Sequence, residues 1–219
     1  EGIVVANNDT GVQYTHPALA TQYRGAGGSN TGNWSDPANI CGGAPCDNVG
    51  HGSHTMGTAA GDGSAIAGGS APAYTYAGMA PMADIIVVDG SVSGSFSRTQ
   101  MADGASYIFG QATLLGKNAV VNMSIGSQSG PKDGTDPFEQ TIDALSGPGK
   151  VVVMSAGNDR GAALHAEWFP ANPDPTMFIS STSTSARFTV IRGYYEATEQ
   201  HNARNRVVGL GEAGTGEIV

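Results

Sequence analysis

Three polar side chains that can take part in proton transfer or hydrogen bonding follow apolar segments of this chain. Asp9 comes directly after the apolar run of residues 2–8, and Asn158 follows the apolar run of residues 150–155. His51 opens a segment of small residues directly after a loop. A histidine exchanges protons near neutral pH, a carboxylate can orient its ring, and a side-chain amide can donate to an anion. These residue types can serve hydrolytic chemistry if the fold brings them together.

Each of these residues also has a plainer structural interpretation. Asp9 alone could be a turn residue or a helix cap, and Asn158 could belong to an Asn-Asp turn. His51 and His54 lie three residues apart, whereas zinc-binding helices space two histidines four apart and add a Glu as general base. A metal-dependent hydrolase built on Asp9, His51 and His54 is therefore the weakest hypothesis. We predict no metal site here and expect a structural role for His54.

Apolar runs alternate with segments of helical periodicity, and this alternation predicts the elements that position the polar residues. Strands are predicted where short apolar runs occur, namely at residues 2–8, 84–89, 119–124 and 150–155. Helices are predicted where small or apolar residues recur at helical spacing, namely at residues 51–61, at 98–115 and around Phe138, Ile142 and Leu145. Such alternation is typical of right-handed βαβ crossovers, so we predict an α/β fold with a parallel sheet flanked by helices. Ligands of such sheets bind beyond the carboxyl ends of the strands.

The composition favours a secreted globular protein. The formal charge is −9, which argues against a nucleic-acid partner, and no apolar run approaches the roughly 18 residues of a membrane helix. Cys41 and Cys46 predict a short disulfide loop in an oxidising compartment, with two free thiols or a metal site as alternatives. Because the chain starts with Glu1 and no basic, apolar leader, we expect a mature or trimmed extracellular form.

Five segments, in order, resemble the motifs of the subtilisin-like serine proteases. They are Asp9-Thr-Gly-Val12 with His16-Pro17, His51-Gly-Ser-His-Thr-Met-Gly-Thr58, Gly78-Met-Ala-Pro81, Val121-Asn-Met-Ser-Ile-Gly126 and Val151-Val-Val-Met-Ser-Ala-Gly-Asn158. One such motif alone would be weak, but five in order at plausible spacing are specific. The resemblance covers roughly residues 2–165. Ser53 replaces the usual Thr of the family, which is a mild departure.

The resemblance implies a serine endopeptidase that hydrolyses polypeptides through an Asp-His-Ser triad. Asp9 would orient His51, His51 would act as general base and then general acid, and Asn158 would donate to the oxyanion. The segment Ser124, Ile125 and Gly126 would pair with an extended substrate as an edge strand, and Ala156 and Gly157 would line the primary specificity pocket. No cofactor is required. Ala18 stands where many members carry a calcium-binding Asp, which leaves only other positions for a structural calcium.

The family's nucleophile lies in a Gly-Thr-Ser-Met-Ala motif that this sequence does not contain. We therefore expect residues 1–164 to be the N-terminal part of a catalytic domain whose C-terminal remainder carries the serine. Residues 165–219 are expected to form a β-rich extension or the start of an insertion. Two alternatives stay open: a lobe that needs a complementing chain, and a non-catalytic protein that binds peptides on the same scaffold.

Overall fold

Strands and helices alternate along the chain in a computed structural model that describes residues 2–23, 30–65, 72–92, 94–126 and 134–158. The elements are β1 (Ile3–Asp9), α1 (Pro17–Ala20), β2 (Trp34–Ser35), α2 (His51–Ala60), β3 (Asp84–Asp89), α3 (Arg98–Leu114), β4 (Asn118–Met123), α4 (Pro137–Leu145) and β5 (Lys150–Met154). The four predicted strands and the three predicted helices are all present. The sequence therefore predicted every longer element of the described residues.

The described strands form one parallel sheet in the order β2-β3-β1-β4-β5. In its centre Asn7 of β1 is in register with Val87 of β3 on one side and with Asn122 of β4 on the other. Since the strands are parallel, their carboxyl ends lie at the same edge of the sheet. At that edge Asp9 and Ser124 each lie two residues beyond the Asn7–Asn122 pair of the neighbouring strands β1 and β4.

The sheet buries a hydrophobic cluster on each face. Val4 and Ala6 of β1 pack in the cluster that includes α3, whereas Val5 packs in the cluster that includes α2. Side chains alternate between the faces of a strand. This alternation sends Asn8 toward α3, where its amide bonds the Met101 carbonyl, and sends Asn7 and Asp9 toward α2.

Two short elements differ from the sequence-based expectations. Residues 24–50 are rich in Gly, Ser, Asn and Pro, which predicts a long surface loop. This prediction is wrong at Trp34–Ser35, which pair in parallel with Val87 and Val88. The helix of four residues Pro17–Ala20 was not predicted either. Both elements are too short to show a hydrophobic period, and tertiary contacts decide their conformation: Trp34, for example, is buried against the α2 cluster.

Residue contacts divide the chain into two compact units. The first comprises residues 1–126 and 137–155, and it contains the whole sheet. The second comprises residues 127–136 and 156–219, of which the structure describes 134–136 and 156–158. The predicted β-rich extension at residues 165–219 lies outside the described residues, and the predicted boundary at residue 164 stays a prediction.

Candidate active site

The carboxylate of Asp9 and the imidazole of His51 form a direct hydrogen bond where β1 meets α2. Asp9 ends β1 with a fully buried side chain, whereas the side chain of His51, the first residue of α2, is 44% exposed. His51 Nδ1 lies 2.7 Å from Asp9 Oδ1. Because a carboxylate oxygen accepts hydrogen bonds, Nδ1 carries the proton of the neutral ring and Nε2 is unprotonated. The pair therefore combines an orienting carboxylate with a basic nitrogen on a partly exposed ring.

Two further donors hold the buried carboxylate of Asp9. The backbone N–H of Thr10 donates to Oδ1 at 2.7 Å, and the Thr55 hydroxyl lies 3.2 Å from Oδ2. A buried carboxylate is costly unless its oxygens are hydrogen-bonded. With these contacts each oxygen of the carboxylate has at least one donor.

Asp47 fixes the N-terminus of the helix that carries His51. Its carboxylate accepts hydrogen bonds from Gly50 N, Ser53 N and Ser53 Oγ, each at 2.7 Å, and from the Thr10 hydroxyl at 2.9 Å. Desolvation raises the pKa of Asp47, but these hydrogen bonds outweigh it and hold the pKa below its usual value. Asp47 thus ties the first turn of α2 to the residue after Asp9, which sets the position of His51.

The backbone of α2 lies directly against the turn that follows Asp9. A Cβ atom built on Gly52 would lie 2.2 Å from the carbonyl oxygen of Gly11. The N–H of Gly52 also donates to the Thr10 hydroxyl at 2.9 Å. Only glycine allows this close approach of the helix to the turn. The approach in turn brings His51 within hydrogen-bonding distance of Asp9.

Polar side chains lead from the Asp9–His51 pair into the centre of the sheet. The Asn7 amide donates to Gly52 O at 3.0 Å and to Thr55 Oγ1 at 2.8 Å, while its Oδ1 accepts from Asn122 Nδ2 at 2.8 Å. Asn122 Nδ2 also donates to Ser124 Oγ at 3.0 Å. Hydrogen bonds therefore connect the Asp9–His51 region with the first residue of the predicted substrate-binding segment.

The predicted substrate-binding residues fall into both units. Ser124, Ile125 and Gly126 follow β4 directly, and the carbonyl of Ile125 accepts a hydrogen bond from Ser155 Oγ at 3.3 Å. Ala156, Gly157 and Asn158 are exposed and belong to the second unit. The structure joins Asp9 with His51 and places Ser124 at the same sheet edge. The oxyanion role of Asn158 and the pocket role of its two neighbours stay predictions.

The sequence model of the subtilase family (peptidase S8) matches residues 1–208. The chain belongs to the subtilase family. It is 32% identical to thermitase of Thermoactinomyces vulgaris over 184 residues, with 83% of this chain and 55% of thermitase covered. It is 31% identical to the major intracellular serine protease of Bacillus subtilis, with 84% and 52% covered. The resemblance inferred from the five motifs is thus confirmed.

Solved structures show the same subtilase fold. The Clostridium perfringens CspB protease matches with a TM-score of 0.62 at 24% identity, over 77% of this chain and 38% of that one. A structure described as S41 psychrophilic protease matches with a TM-score of 0.52 at 27% identity, over 72% and 46%. The chain therefore spans about half, or less, of the length of these relatives.

A disulfide stands beside the Asp9–Gly11 turn of this subtilase. Cys41 and Cys46 are bonded, with Cα atoms 5.6 Å apart. The carbonyl of Cys46 accepts the N–H of Val12 at 2.9 Å, and a Cβ on Gly11 would lie 2.0 Å from it. The disulfide loop therefore packs against the Asp-Thr-Gly turn, and it leads directly into Asp47.

The described residues contain neither a cluster of metal ligands nor a membrane-spanning helix. Within the described ranges no three or more His, Cys, Asp or Glu side chains come close enough together to hold a metal ion. His54 is exposed on α2. In that part of the chain no helix is long and apolar enough to cross a membrane.

Sequence analysis missed the residues that hold the Asp9–His51 pair. Asn7, Thr55, Asn122 and Asp47 were not singled out, although two of them carried a signal. Asn7 and Asn122 are polar residues in strands that are mainly apolar, and such residues need a specific partner when buried. Thr55 and Asp47 carried no comparable signal, because their importance depends on a helix meeting a strand far away in sequence.

Proposed function

We propose that this subtilase chain is the Asp- and His-bearing part of a secreted serine endopeptidase that hydrolyses peptide bonds by acyl transfer. The observation that carries the proposal is the 2.7 Å hydrogen bond between the buried Asp9 carboxylate and Nδ1 of the partly exposed His51. A serine hydroxyl is a poor nucleophile near neutral pH and needs such a base. The membership of the subtilase family and the matches to serine proteases support the same chemistry.

In the proposed reaction His51 Nε2 takes the proton of the serine hydroxyl as the serine oxygen attacks the substrate carbonyl carbon. The carbonyl oxygen becomes an oxyanion, which the side-chain amide of Asn158 stabilises. Asp9 holds the ring through Nδ1 and stabilises the imidazolium. His51 then gives its proton to the leaving amine, and a water molecule hydrolyses the acyl-enzyme by the same steps in reverse order.

The nucleophile is proposed to lie in a C-terminal remainder of the protease, outside these 219 residues. Two observations support this: the sequence contains no Gly-Thr-Ser-Met-Ala motif, and the chain covers about half of its curated relatives. A third observation is that Val151, Val153 and Met154 are 38–50% exposed on β5, which is the last strand of the sheet formed by the described residues. Apolar side chains at a sheet edge suit a further packing partner, which the remainder would provide.

The same proposal includes substrate binding, location and cofactors. An extended polypeptide would pair with Ser124–Gly126, and Ala156 and Gly157 would line the primary pocket. The acidic composition and the Cys41–Cys46 disulfide support an extracellular location. No cofactor takes part in the proposed reaction. Whether a structural calcium is bound is tested by comparing the unfolding temperatures with and without a chelator.

A fluorophosphonate probe, which reacts with activated serines, tests the proposal on the native protein. The labelled residue is located by peptide mass spectrometry in the wild type and in the variants His51→Ala and Asp9→Asn. His54→Ala is the matched control, because His54 lies one turn further along the same helix and is exposed. We expect labelling to fall by orders of magnitude in the two site variants and to persist in the control.

The position of the label decides between the alternatives. A labelled serine in a Gly-Thr-Ser segment that is continuous with this chain or co-purifies with it supports the proposal. A labelled serine within residues 1–219 overturns the placement of the nucleophile. Folded protein that takes no label, but binds peptides, overturns the catalytic proposal in favour of a peptide-binding protein.

A further inference from the structure

We propose that Thr55 is a positioning residue that orients the Asp9 carboxylate toward His51, and that Asn7 fixes the direction of the Thr55 hydroxyl. This inference rests on the proposed function for its catalytic meaning. Its structural part does not depend on activity. Thr55 lies on α2, one turn after His51, and Asn7 lies on β1, two residues before Asp9.

The contacts of Thr55 join the two elements at the site. Its Oγ1 lies 2.8 Å from Asn7 Nδ2, 3.2 Å from Asp9 Oδ2 and 3.1 Å from Gly52 O. Asn7 and Asp9 are both fully buried. One hydroxyl therefore has three polar neighbours but only one proton to donate, so the direction of each hydrogen bond must be settled.

The Asn7 amide settles the first direction. One of its terminal atoms faces Gly52 O, and a carbonyl oxygen only accepts, so this atom is the nitrogen Nδ2. The other terminal atom faces the Nδ2 of Asn122 at 2.8 Å, which requires an oxygen. A flipped amide would lose both hydrogen bonds. Asn7 Nδ2 is therefore the donor to Thr55 Oγ1.

The hydroxyl proton of Thr55 then has two acceptors left. Gly52 O already accepts from Asn7, whereas Asp9 Oδ2 has no other donor among the hydrogen bonds described above. Hydrogen bonds to an ionised acceptor are roughly twice as strong as those between neutral groups. The proton is therefore assigned to Asp9, and a threonine hydroxyl in a helix departs here from its usual bond to a backbone carbonyl one turn back.

This assignment gives Thr55 a specific task. His51 and Thr10 both donate to Oδ1 of Asp9, so these two bonds resist rotation of the planar carboxylate about the Cβ–Cγ bond at one oxygen only. The Thr55 hydroxyl holds Oδ2 and so fixes the plane of the carboxylate. A fixed plane keeps the acceptor aligned with the Nδ1 proton of His51, which angular hydrogen bonds require.

The test compares Thr55→Val, which keeps the shape and removes the hydroxyl, with Thr55→Ser, which restores the hydroxyl. Thr58→Val is the matched control, because it removes a hydroxyl from an exposed position of the same helix. Among the described residues the Thr58 hydroxyl bonds the His54 carbonyl, at 3.2 Å. The readout is the nuclear magnetic resonance signal of the His51 Nδ1 proton in the full chain, and its exchange rate with water. Thr55→Val should speed exchange about tenfold, the effect of losing one hydrogen bond to a charged group. Thr55→Ser and Thr58→Val should behave as wild type.

Unchanged exchange in Thr55→Val, or an equal change in Thr58→Val, would overturn the inference. If Thr55→Val does not fold, Thr55→Cys replaces it; the inference then requires exchange between the wild-type rate and the tenfold faster rate, and wild-type exchange in this variant overturns it. In the assembled protease, Thr55→Val should lower kcat about tenfold and leave KM nearly unchanged, as expected for a group that acts on the base. Because the resonance experiment needs no activity, a failure of the proposed function would appear only in the labelling experiment.

Discussion

Replacing Gly52 by alanine should separate helix α2 from the Asp9–Gly11 turn. A helix interior normally gains stability when glycine becomes alanine, by about 1 kcal/mol. At Gly52 the new Cβ would lie 2.2 Å from Gly11 O, and further Gly11 backbone atoms lie 3.1–3.2 Å away. Gly57 is the matched control on the same helix, because a Cβ there has no atom within 4 Å.

The contact distance gives the expected magnitude. A carbon and a carbonyl oxygen approach to about 3.3 Å, so the helix and the turn must move apart by roughly 1 Å. Overpacking of this kind costs about 1–3 kcal/mol, and the upper end applies because backbone cannot rotate away. After the helical gain of about 1 kcal/mol, Gly52→Ala should lose about 2 kcal/mol of unfolding free energy. Gly57→Ala should gain up to about 1 kcal/mol.

Thermal unfolding followed by circular dichroism measures the two variants. For a chain of this size the loss corresponds to an unfolding temperature about 4–8 °C lower in Gly52→Ala, and the gain to about 2–4 °C higher in Gly57→Ala. In the proposed protease, a displacement of about 1 Å should also lower the turnover by about a hundredfold. A Gly52→Ala protein that unfolds at or above the wild-type temperature, with the His51 Nδ1 proton signal unchanged, would refute the reasoning.

Three further predictions concern the disulfide and two nearby carboxylates, Asp47 and Asp89. Reduction of the Cys41–Cys46 disulfide should lower the free energy of unfolding by about 2 kcal/mol, as chain entropy gives for so short a loop, measured by urea unfolding with and without reductant. Hydrogen bonds lower the pKa of Asp47 in the folded protein. The stabilisation by this carboxylate is therefore present above the unfolded-state pKa and is lost as pH falls through the folded-state pKa. Asp47→Asn should destabilise the protein near neutral pH and not in strong acid. Burial raises the pKa of Asp89, so its ionised form destabilises the folded protein near neutral pH. Asp89→Asn should therefore be more stable than wild type near neutral pH. Urea unfolding across pH should show that this gain disappears in acid.

The sheet and the ends of its strands could be predicted because their signals are local. The strand at residues 84–89 matches the predicted bounds, and the helix predicted over residues 98–115 runs from Arg98 to Leu114. Ser97 caps that helix together with Gln100, so its N-terminus is encoded by neighbouring residues. Apolar periodicity and capping need no knowledge of the rest of the fold, and the positions of Asp9 and His51 follow from them.

The support of the site could not be predicted in the same way, because it depends on distant pairs. Asn7 and Thr55 are 48 residues apart in sequence, and Asn7 and Asn122 are 115 apart. Neither pair has a local pattern that names its partner. The two-residue strand at Trp34 was missed for a related reason, since its pairing with β3 rather than its own period makes it a strand.

Strand β1 shows how this fold combines a core with a polar site. Its first half, from Val4 to Ala6, supplies apolar side chains to both faces of the sheet, and its last three residues, Asn7 to Asp9, are polar and fully buried. Asn7 and Asp9 face α2, where the partners of both meet at Thr55. Asn8 faces α3, and its Oδ1 has no hydrogen-bond partner among the described residues. A Cβ on Gly90 or Gly104 would collide with its amide. Burying these groups is unfavourable for stability, and the strand keeps them where hydrogen bonds on the α2 face can hold Asp9 in one orientation. The orientation of Asp9 thus depends on side chains from the centre of the sheet, whereas the position of His51 also depends on the loop residue Asp47.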